Sequence, residues 1–353
     1  MRRKLSTILA LALIFSMFAS ALAYPYAPND PKVAKARDFL KSAQQSDGSI
    51  GGFTVSAWAV MAIAALDEDP HNWKIDGGSS IVDYLKANAH LVDETKATDV
   101  ERYILAMTAA GENSRNIDSK DYVTILKGLY DGVQIGDSNL LNDDFWGVLA
   151  LISAGEPFNS PIIQNTVAFI KSRRNSDGGW GWGVGVSSDI DDTAAAIMAL
   201  IAAKEPANSQ VIVEALNYVK SKQMYNGGFE AWGATNPGTD AWGICAIVAA
   251  GQNPTSAYWT KNGKTPVDDL LTFQGEDGAF SFPGANPRKE WATSYAIVAL
   301  LGKPYLIKPV TQNVGGIAVP LNKLELLIPW IEVASAILVM SAVAVFVNRR
   351  KKR

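Results

Sequence analysis

Ser187 to Leu200 reads SSDIDDTAAAIMAL, three carboxylates within four residues followed by a wholly apolar run. Carboxylates held this close repel one another, so one of them keeps its proton nearer neutral pH than a free aspartic acid does. Facing a hydrophobic cavity, Asp189, Asp191 and Asp192 form a proton donor. Facing water, they form an acidic cap at the start of a buried helix, where negative charge meets the positive end of the helix dipole. Other chemistry is easier to exclude. Cys245 is the only cysteine and His71 and His90 the only histidines, which leaves no usual ligand set for zinc. No metal and no cofactor is expected. The surroundings of Cys245, AWGICAIVAAG, are apolar and suit a buried, inert thiol.

The ends of the chain set the location. Arg2, Arg3 and Lys4, the apolar run Leu5 to Phe18 and the small residues Ala21-Leu22-Ala23 have the three parts of a secretory signal, assigned to 1–23. Leu326 to Val347 is long enough to cross a bilayer at about 1.5 Å per residue. Trp330 stands where an interfacial aromatic belongs, and the basic tail 348–353 belongs in the cytoplasm. The expected arrangement is a single-pass membrane protein with residues 24–302 as an extracellular domain, 303–325 as a linker and 326–347 as the anchor. Without the three basic residues of the signal and the five of the tail, 24 lysines and arginines remain against 35 acidic residues. That balance excludes nucleic acid as a partner and leaves the membrane, through the anchor, and a surface ligand or protein.

Between the ends the chain repeats. QQSDGSIGGF, RNSDGGWGWG, QMYNGGFEAWG and QGEDGAFSF each follow a segment with apolar residues at helical spacing. Each precedes an Ala-rich helix that stops in a similar way: LALISAGEP, MALIAAKEP, CAIVAAGQNP, VALLGKP. Two further copies, ATDVERYILAMTAAGEN and LNDDFWGVLALISAGEP, keep the second helix and lose most of the glycines. Counting back from the helix ends aligns Val55, Asp99, Asp143, Asp192, Thr239 and Glu290, at spacings of 44, 44, 49, 47 and 51 residues. The first helix of each pair has one apolar stripe and lies outside; the second is apolar nearly all round and lies inside. The expected fold is all-α, an α6/α6 toroid of six hairpins with one C-terminal transmembrane helix.

The motif of Gln-x-x-Asp-Gly-Gly-Trp type, joined to a helix of Asp-Thr-Ala-x-Ala type, resembles the repeat of squalene cyclases and protein prenyltransferase β-subunits. The resemblance covers about 31–302. In the class II terpene cyclases of that superfamily an Asp-x-Asp-Asp-Thr-Ala stretch carries the acid that protonates an alkene or epoxide. Asp189-Ile190-Asp191-Asp192-Thr193-Ala194 matches it position by position, which implies Asp191 as the donor. Trp58, Tyr103, Trp146 and Trp242, early in their inner helices, would then wall a cation-stabilising cavity. The resemblance also implies departures. The prenyltransferase zinc ligands cannot be assembled from this chain, and Cys245 is not in a thioester motif. The cyclases build their chamber between two helical domains, and one toroid is present here.

Acidic residues also recur at the inner-helix starts without a cyclase motif, at Asp99, Asp143 and Glu290, with Ser188, Asn142, Thr98 and Thr239 placed to cap. Together with Asp144 and Asp240 these carboxylates ring a candidate ligand-binding mouth. The expected function is a non-catalytic binding or surface-architecture module. The alternatives are a cyclase-like isomerase acting on a polyprenyl or lipid substrate with Asp191 as general acid, and a polysaccharide-active toroid using Asp143 and Asp191 across the mouth.

Overall fold

The computed structural model describes residues 24–307, and those residues form helices and connecting turns with no β-strand. The assigned signal, anchor and tail lie outside the described residues, as does most of the assigned linker. Among the described residues no helix is long and apolar enough to cross a membrane.

Twelve α-helices alternate along the chain: α1 Pro31–Ala43, α2 Phe53–Ala65, α3 Ile81–Ala87, α4 Ala97–Ala109, α5 Tyr122–Gly128, α6 Asn142–Ser153, α7 Pro161–Ser172, α8 Ile190–Ala202, α9 Gln210–Ser221, α10 Pro237–Ala249, α11 Pro266–Thr272 and α12 Lys289–Leu300. The even-numbered helices pack in sequence, α2 on α4, α4 on α6, and onward to α12, which returns to α2. They form a closed inner ring. Each odd-numbered helix packs outside the even-numbered one before it, and α1 packs on α12.

Sequence explains the division. In α8, ten of thirteen residues are buried, five of them alanines small enough to let neighbouring helices approach closely. In α9 only Ile212, Ala215, Leu216, Tyr218 and Val219 are buried, a single stripe. Outer helices start on strong signals: Asp30 caps α1 ahead of Pro31, and capping boxes of Ser80 with Asp83 and Thr265 with Asp268 open α3 and α11.

The glycine turns are the mortar. Gln44 Nε2 donates to the carbonyls of Gly48 and Trp73, Gln223 Nε2 to those of Gly227 and Trp259, and Gln274 Nε2 to those of Gly278 and Lys32. Each glutamine thus ties its own turn to the next repeat, and the last ties to the first helix of the chain. Gly278 has φ +84°, and a Cβ there would collide with the Lys35 carbonyl, so the seam between last and first repeats demands glycine.

A second bond fixes register. The buried main-chain N–H after the glycines donates to an inner-helix side chain: Ile50 to Ser56 Oγ, Ile135 to Asp144 Oδ1, Trp180 to Thr193 Oγ1, Phe229 to Asp240 Oδ1 and Phe280 to Thr293 Oγ1. The residues just before these acceptors are Val55, Asp143, Asp192, Thr239 and Ala292. The expected alignment therefore needs one correction: Ala292, not Glu290, matches Asp192. Counting from helix ends misled there, because the left-handed residue closing α8, Lys204, falls eleven positions after Thr193, whereas Gly302 falls nine after Thr293. Residues 303–307, expected to begin a linker, also depart from expectation. Tyr305 is 3 % exposed and Ile307 9 %.

Candidate functional site

The start of α8 is built from its own turn. Asp189 is the N-cap, with Oδ1 accepting from the N–H of Asp192 at 2.8 Å, and its own N–H donates to the Trp180 carbonyl at 3.0 Å. Ser188 is not the cap; its hydroxyl donates to Asp177 Oδ1 at 2.7 Å and so braces the glycine turn. The Tyr218 hydroxyl, from α9, donates to the Ser188 carbonyl at 2.7 Å. With Thr193 committed to the main chain of Trp180 in both directions, the two residues before it are left free to face outward from the helix start.

They face a cavity of about 420 Å³ lined by Asp189, Asp191, Asp192, Thr239, Tyr218, Glu230, Trp182 and Trp232, among others. The volume lies in the range of small-molecule sites. Trp182 is half exposed and Trp232 fully exposed. Trp232 (φ 58°) and Gly233 (φ 87°) are both left-handed, the signature of a tight hairpin turn that presents the indole at the cavity's edge.

Asp191 is exposed, and it stands on the cavity wall among closely packed neighbours. Burial and the Asp189 charge raise its pKa to about 6 against the pull of a hydrogen bond with Thr239. Asp189 and Asp192 are hydrogen bonded through their carboxyl groups, and burial raises both, Asp192 well above the usual range. The two carboxyls titrate as a pair.

The other expected site residues are dispersed. Asp144 and Asp240 are fully buried and accept the turn N–H bonds at 2.9 and 2.7 Å. Burial raises Asp144 to about 8; burial and contact with Asp269 raise Asp240 well above the carboxylate range. Asp143 is buried and accepts from the N–H of Asp137 at 2.9 Å. None of the three lines the cavity at α8. Tyr103 is buried between Phe53 of α2 and Tyr122 of α5, away from the ring axis. Arg102 turns inward in its place and, with Trp58, Trp146, Thr98, Leu105 and Asn142, lines a gap of about 110 Å³. Asp99 pairs with Arg102 at 3.1 Å, and Glu290 sits half-buried beside Gly51. Lys96 and Leu141 hold the N-cap positions of α4 and α6, though Asn142 Oδ1 does accept from the first-turn N–H of Asp143 at 3.0 Å, and Asn236 caps α10 instead of Thr239.

Trp58, Trp146 and Trp242 do converge, with ring centroids 4.8 to 5.9 Å apart, and Tyr295 and Tyr305 join them. Sequence reasoning missed Trp182, Trp232, Tyr218, Tyr295 and Tyr305. The first two stand in the motifs GWGWG and EAWG, where nothing in the spacing separates a buried aromatic from an exposed one. Tyr305 follows the last helix, where periodicity has ended and no local signal remains.

No protein-family model and no curated protein matches the sequence. The fold has solved neighbours. The type II terpene cyclase MstE from Scytonema superposes with a TM-score of 0.55 at 14% identity, covering 76% of this chain and 96% of that one. A single-residue variant of that cyclase has been solved with geranylgeranyl dihydroxybenzoate, its substrate. A protein from Actinoplanes gives 0.53 at 14% identity over 77% and 98%, and the ent-copalyl diphosphate synthase of Streptomyces platensis gives 0.50 at 14% over 71% and 50%. This chain therefore has the α/α-toroid fold found in terpene cyclases. The expectation that such chemistry needs a second helical domain is corrected by the first neighbour, a cyclase covered almost end to end by one toroid.

Proposed function

We propose that the chain is a cyclase-like isomerase that starts reaction of a polyprenyl substrate by protonating it from Asp191. The supporting observation is the placement of that carboxyl: on the wall of a cavity of about 420 Å³, protonated below a pH of about 6, with indole and phenol rings at its edge. Asp191 gives its proton to a carbon–carbon double bond, and the electron pair of that bond forms the new C–H bond. The cation left on the neighbouring carbon is stabilised by the faces of Trp182, Tyr218 and Trp232. Ring closure and loss of a proton from carbon return the proton count to its start, so the net reaction is isomerisation. The charge of Asp189 beside it disfavours ionisation, so Asp191 holds its proton until the substrate is in place. Incubating the purified chain with a geranylgeranyl-substituted phenol and with squalene tests this. Cyclised product from wild type and none from Asp191→Asn is expected; no product from either substrate ends the proposal.

A second reading, a binding module without chemistry, is favoured by one observation. The ring axis is packed with aromatic side chains, so the cavity at α8 is shallow beside a chamber that spans the ring. The polysaccharide reading loses support, because Asp143 is buried on a main-chain N–H and does not oppose Asp191 across a mouth.

The location remains as the sequence suggests it: a toroid outside the cell, anchored by 326–347, with a cytoplasmic tail. Protease added to intact cells is expected to remove the toroid and spare the tail; a protected toroid would reverse the orientation.

A further inference from the structure

The carboxyl of Asp191 is met by a side chain from a second inner helix. α10 packs directly on α8, and Thr239 in its first turn is buried and lines the same cavity. The surroundings of Thr239 decide which way its hydroxyl points. Asn236 caps α10, and its Oδ1 accepts from the N–H groups of Gly238 and Thr239, both at 3.0 Å. Only the amide oxygen can accept there, so the other end of that side chain is the NH2 group. It donates to Thr239 Oγ1 at 3.0 Å. Thr239 is thereby an acceptor towards Asn236, and its own proton turns away from the amide, towards the Asp191 carboxyl within hydrogen-bonding reach.

Thr239 stands where α6 has Asp143 and α8 has Asp192, so two of its repeat equivalents are carboxylates. The titratable groups around Asp191 are of that acidic kind. Asp189 and Asp192 come from its own helix start, Asp240 from α10 and the Tyr295 phenol from α12, while Glu230 and Tyr218 share the cavity wall. Each is an acid, so none of them offers a positive charge to an Asp191 carboxylate. Lys222, at the end of α9, pairs with Glu230 at 4.0 Å. Thr239 acts against this crowd of acids.

We propose that Thr239 is a positioning residue for the acid: aimed by Asn236, its hydroxyl holds one carboxyl oxygen of Asp191 and stabilises the carboxylate that remains when the proton leaves. The inference rests on the reading of Asp191 as an acid and adds the group that lets it act as one. While Asp191 is protonated, the oxygen held by Thr239 is the carbonyl oxygen, which leaves the transferable proton on the other. As the C–H bond forms on the substrate, the O–H bond of Asp191 breaks and its electron pair stays on the carboxylate. Negative charge then spreads over both oxygens, and the Thr239 bond becomes charge-assisted and about twice as strong. A donor that tightens as charge develops lowers the barrier and not merely the ground state. The Asn236 amide aims the hydroxyl before reaction, so no reorientation is needed during it.

Carboxyl 13C titration of the full chain, with the Asp191 signal identified by its loss in Asp191→Asn, reads the effect without turnover. Thr239→Val removes the donor and keeps the shape. It is expected to raise the Asp191 midpoint by about one to two pH units, the scale of one hydrogen bond to a charged group. Thr239→Ser is expected to restore it. In product formation, Thr239→Val is expected to lower the low-pH plateau about tenfold and to move the falling limb to higher pH. Damage to the fold alone lowers the plateau and leaves the limb in place. Asn236→Ser keeps a helix cap and removes the aiming amide. It is expected to raise the midpoint by a smaller amount, which covers the case of a Thr239→Val chain that does not fold. A folded Thr239→Val chain whose Asp191 titrates as in wild type, an unshifted Asn236→Ser chain, or a Thr239→Ser chain that titrates like Thr239→Val overturns the proposal. A shifted midpoint in a chain that forms no product ends the cyclase reading and leaves the Thr239 bond standing.

Discussion

The first turns of α6 and α8 each carry a pair of adjacent aspartates, and the pairs sit one position apart in the repeat. In α6, Asp144 occupies the place where a side chain accepts the buried turn N–H, so it and Asp143 are drawn under the turn and out of solvent. In α8, Thr193 holds that place, and Asp191 and Asp192 fall one position earlier, beside a cavity. A single hydroxyl thus separates a carboxyl pair drawn under its turn from one that lines a cavity. α10 agrees, with Asp240 in the accepting place and Thr239, not a carboxylate, at the cavity.

The largest effect expected from this contrast is on turnover. Asp191→Asn is expected to lower product formation by a factor of about 10² or more, the scale of losing a general acid, while Asp144→Asn leaves it unchanged. Equal losses in the two variants would erase the distinction between the pairs. Because the acid must be protonated and its pKa is about 6, the rate is expected to fall as pH rises through that value. A rate that climbs through the same range contradicts an Asp191 donor.

Next in size is the accepting residue itself. Thr193→Val leaves the Trp180 N–H buried without a partner, and denaturant unfolding is expected to show a loss of about 1–3 kcal/mol. A neutral outcome would mean that the bond does not set the register of α8.

The pH dependence of stability comes third. Asp144 binds its proton more tightly in the folded chain, with a pKa of about 8 against 3.8 for the free group. Its contribution is complete below about pH 4 and fades as pH rises toward 8. Thermal midpoints are expected to fall across that window, and Asp144→Asn, which keeps a carbonyl oxygen for the Ile135 N–H, is expected to flatten the slope. A slope equally steep in the variant would assign it to other buried acids, Glu101 and Asp240 among them. The smallest effect is on the stability of Asp191→Asn, expected to shift by about 1 kcal/mol or less, as for a side chain that carries no structural bond of comparable depth.

How much of this was legible in sequence follows from how local each signal is. The six hairpins and the inner-outer division come from apolar spacing and glycine stops, which short segments display by themselves. The Asp189–Asp192 cluster was legible for the same reason. What spacing does not carry is the partner across the repeat. Asp143, Asp144, Asp191 and Asp192 look alike along the chain, and only the turn N–H of Ile135 or Trp180, arriving from nine or thirteen residues earlier, sorts them. Tyr103 shows the same limit: its neighbour Arg102 faces inward, one helical step of about 100° away. The exposed indoles of Trp182 and Trp232 were hidden by their motif, since the glycines that let Trp180 bury itself also let its neighbours turn outward.

The bond from Gln274 to Lys32, with Gly278 pressed on Lys35, joins the two ends of the repeat array, and it dictates the order of events during synthesis. An open stack of repeats can fold from its first unit as it emerges, because each unit needs only its predecessor. Here the first inner helix finds its second neighbour only in α12, so its apolar flank stays uncovered until residues near 300 have been made. Joining segments that far apart along the chain carries a larger loop-closure entropy than any single hairpin. Maturation of the ring is therefore a late, whole-chain step, and a chain cut short by even one repeat is left with two sticky edges in place of a seam.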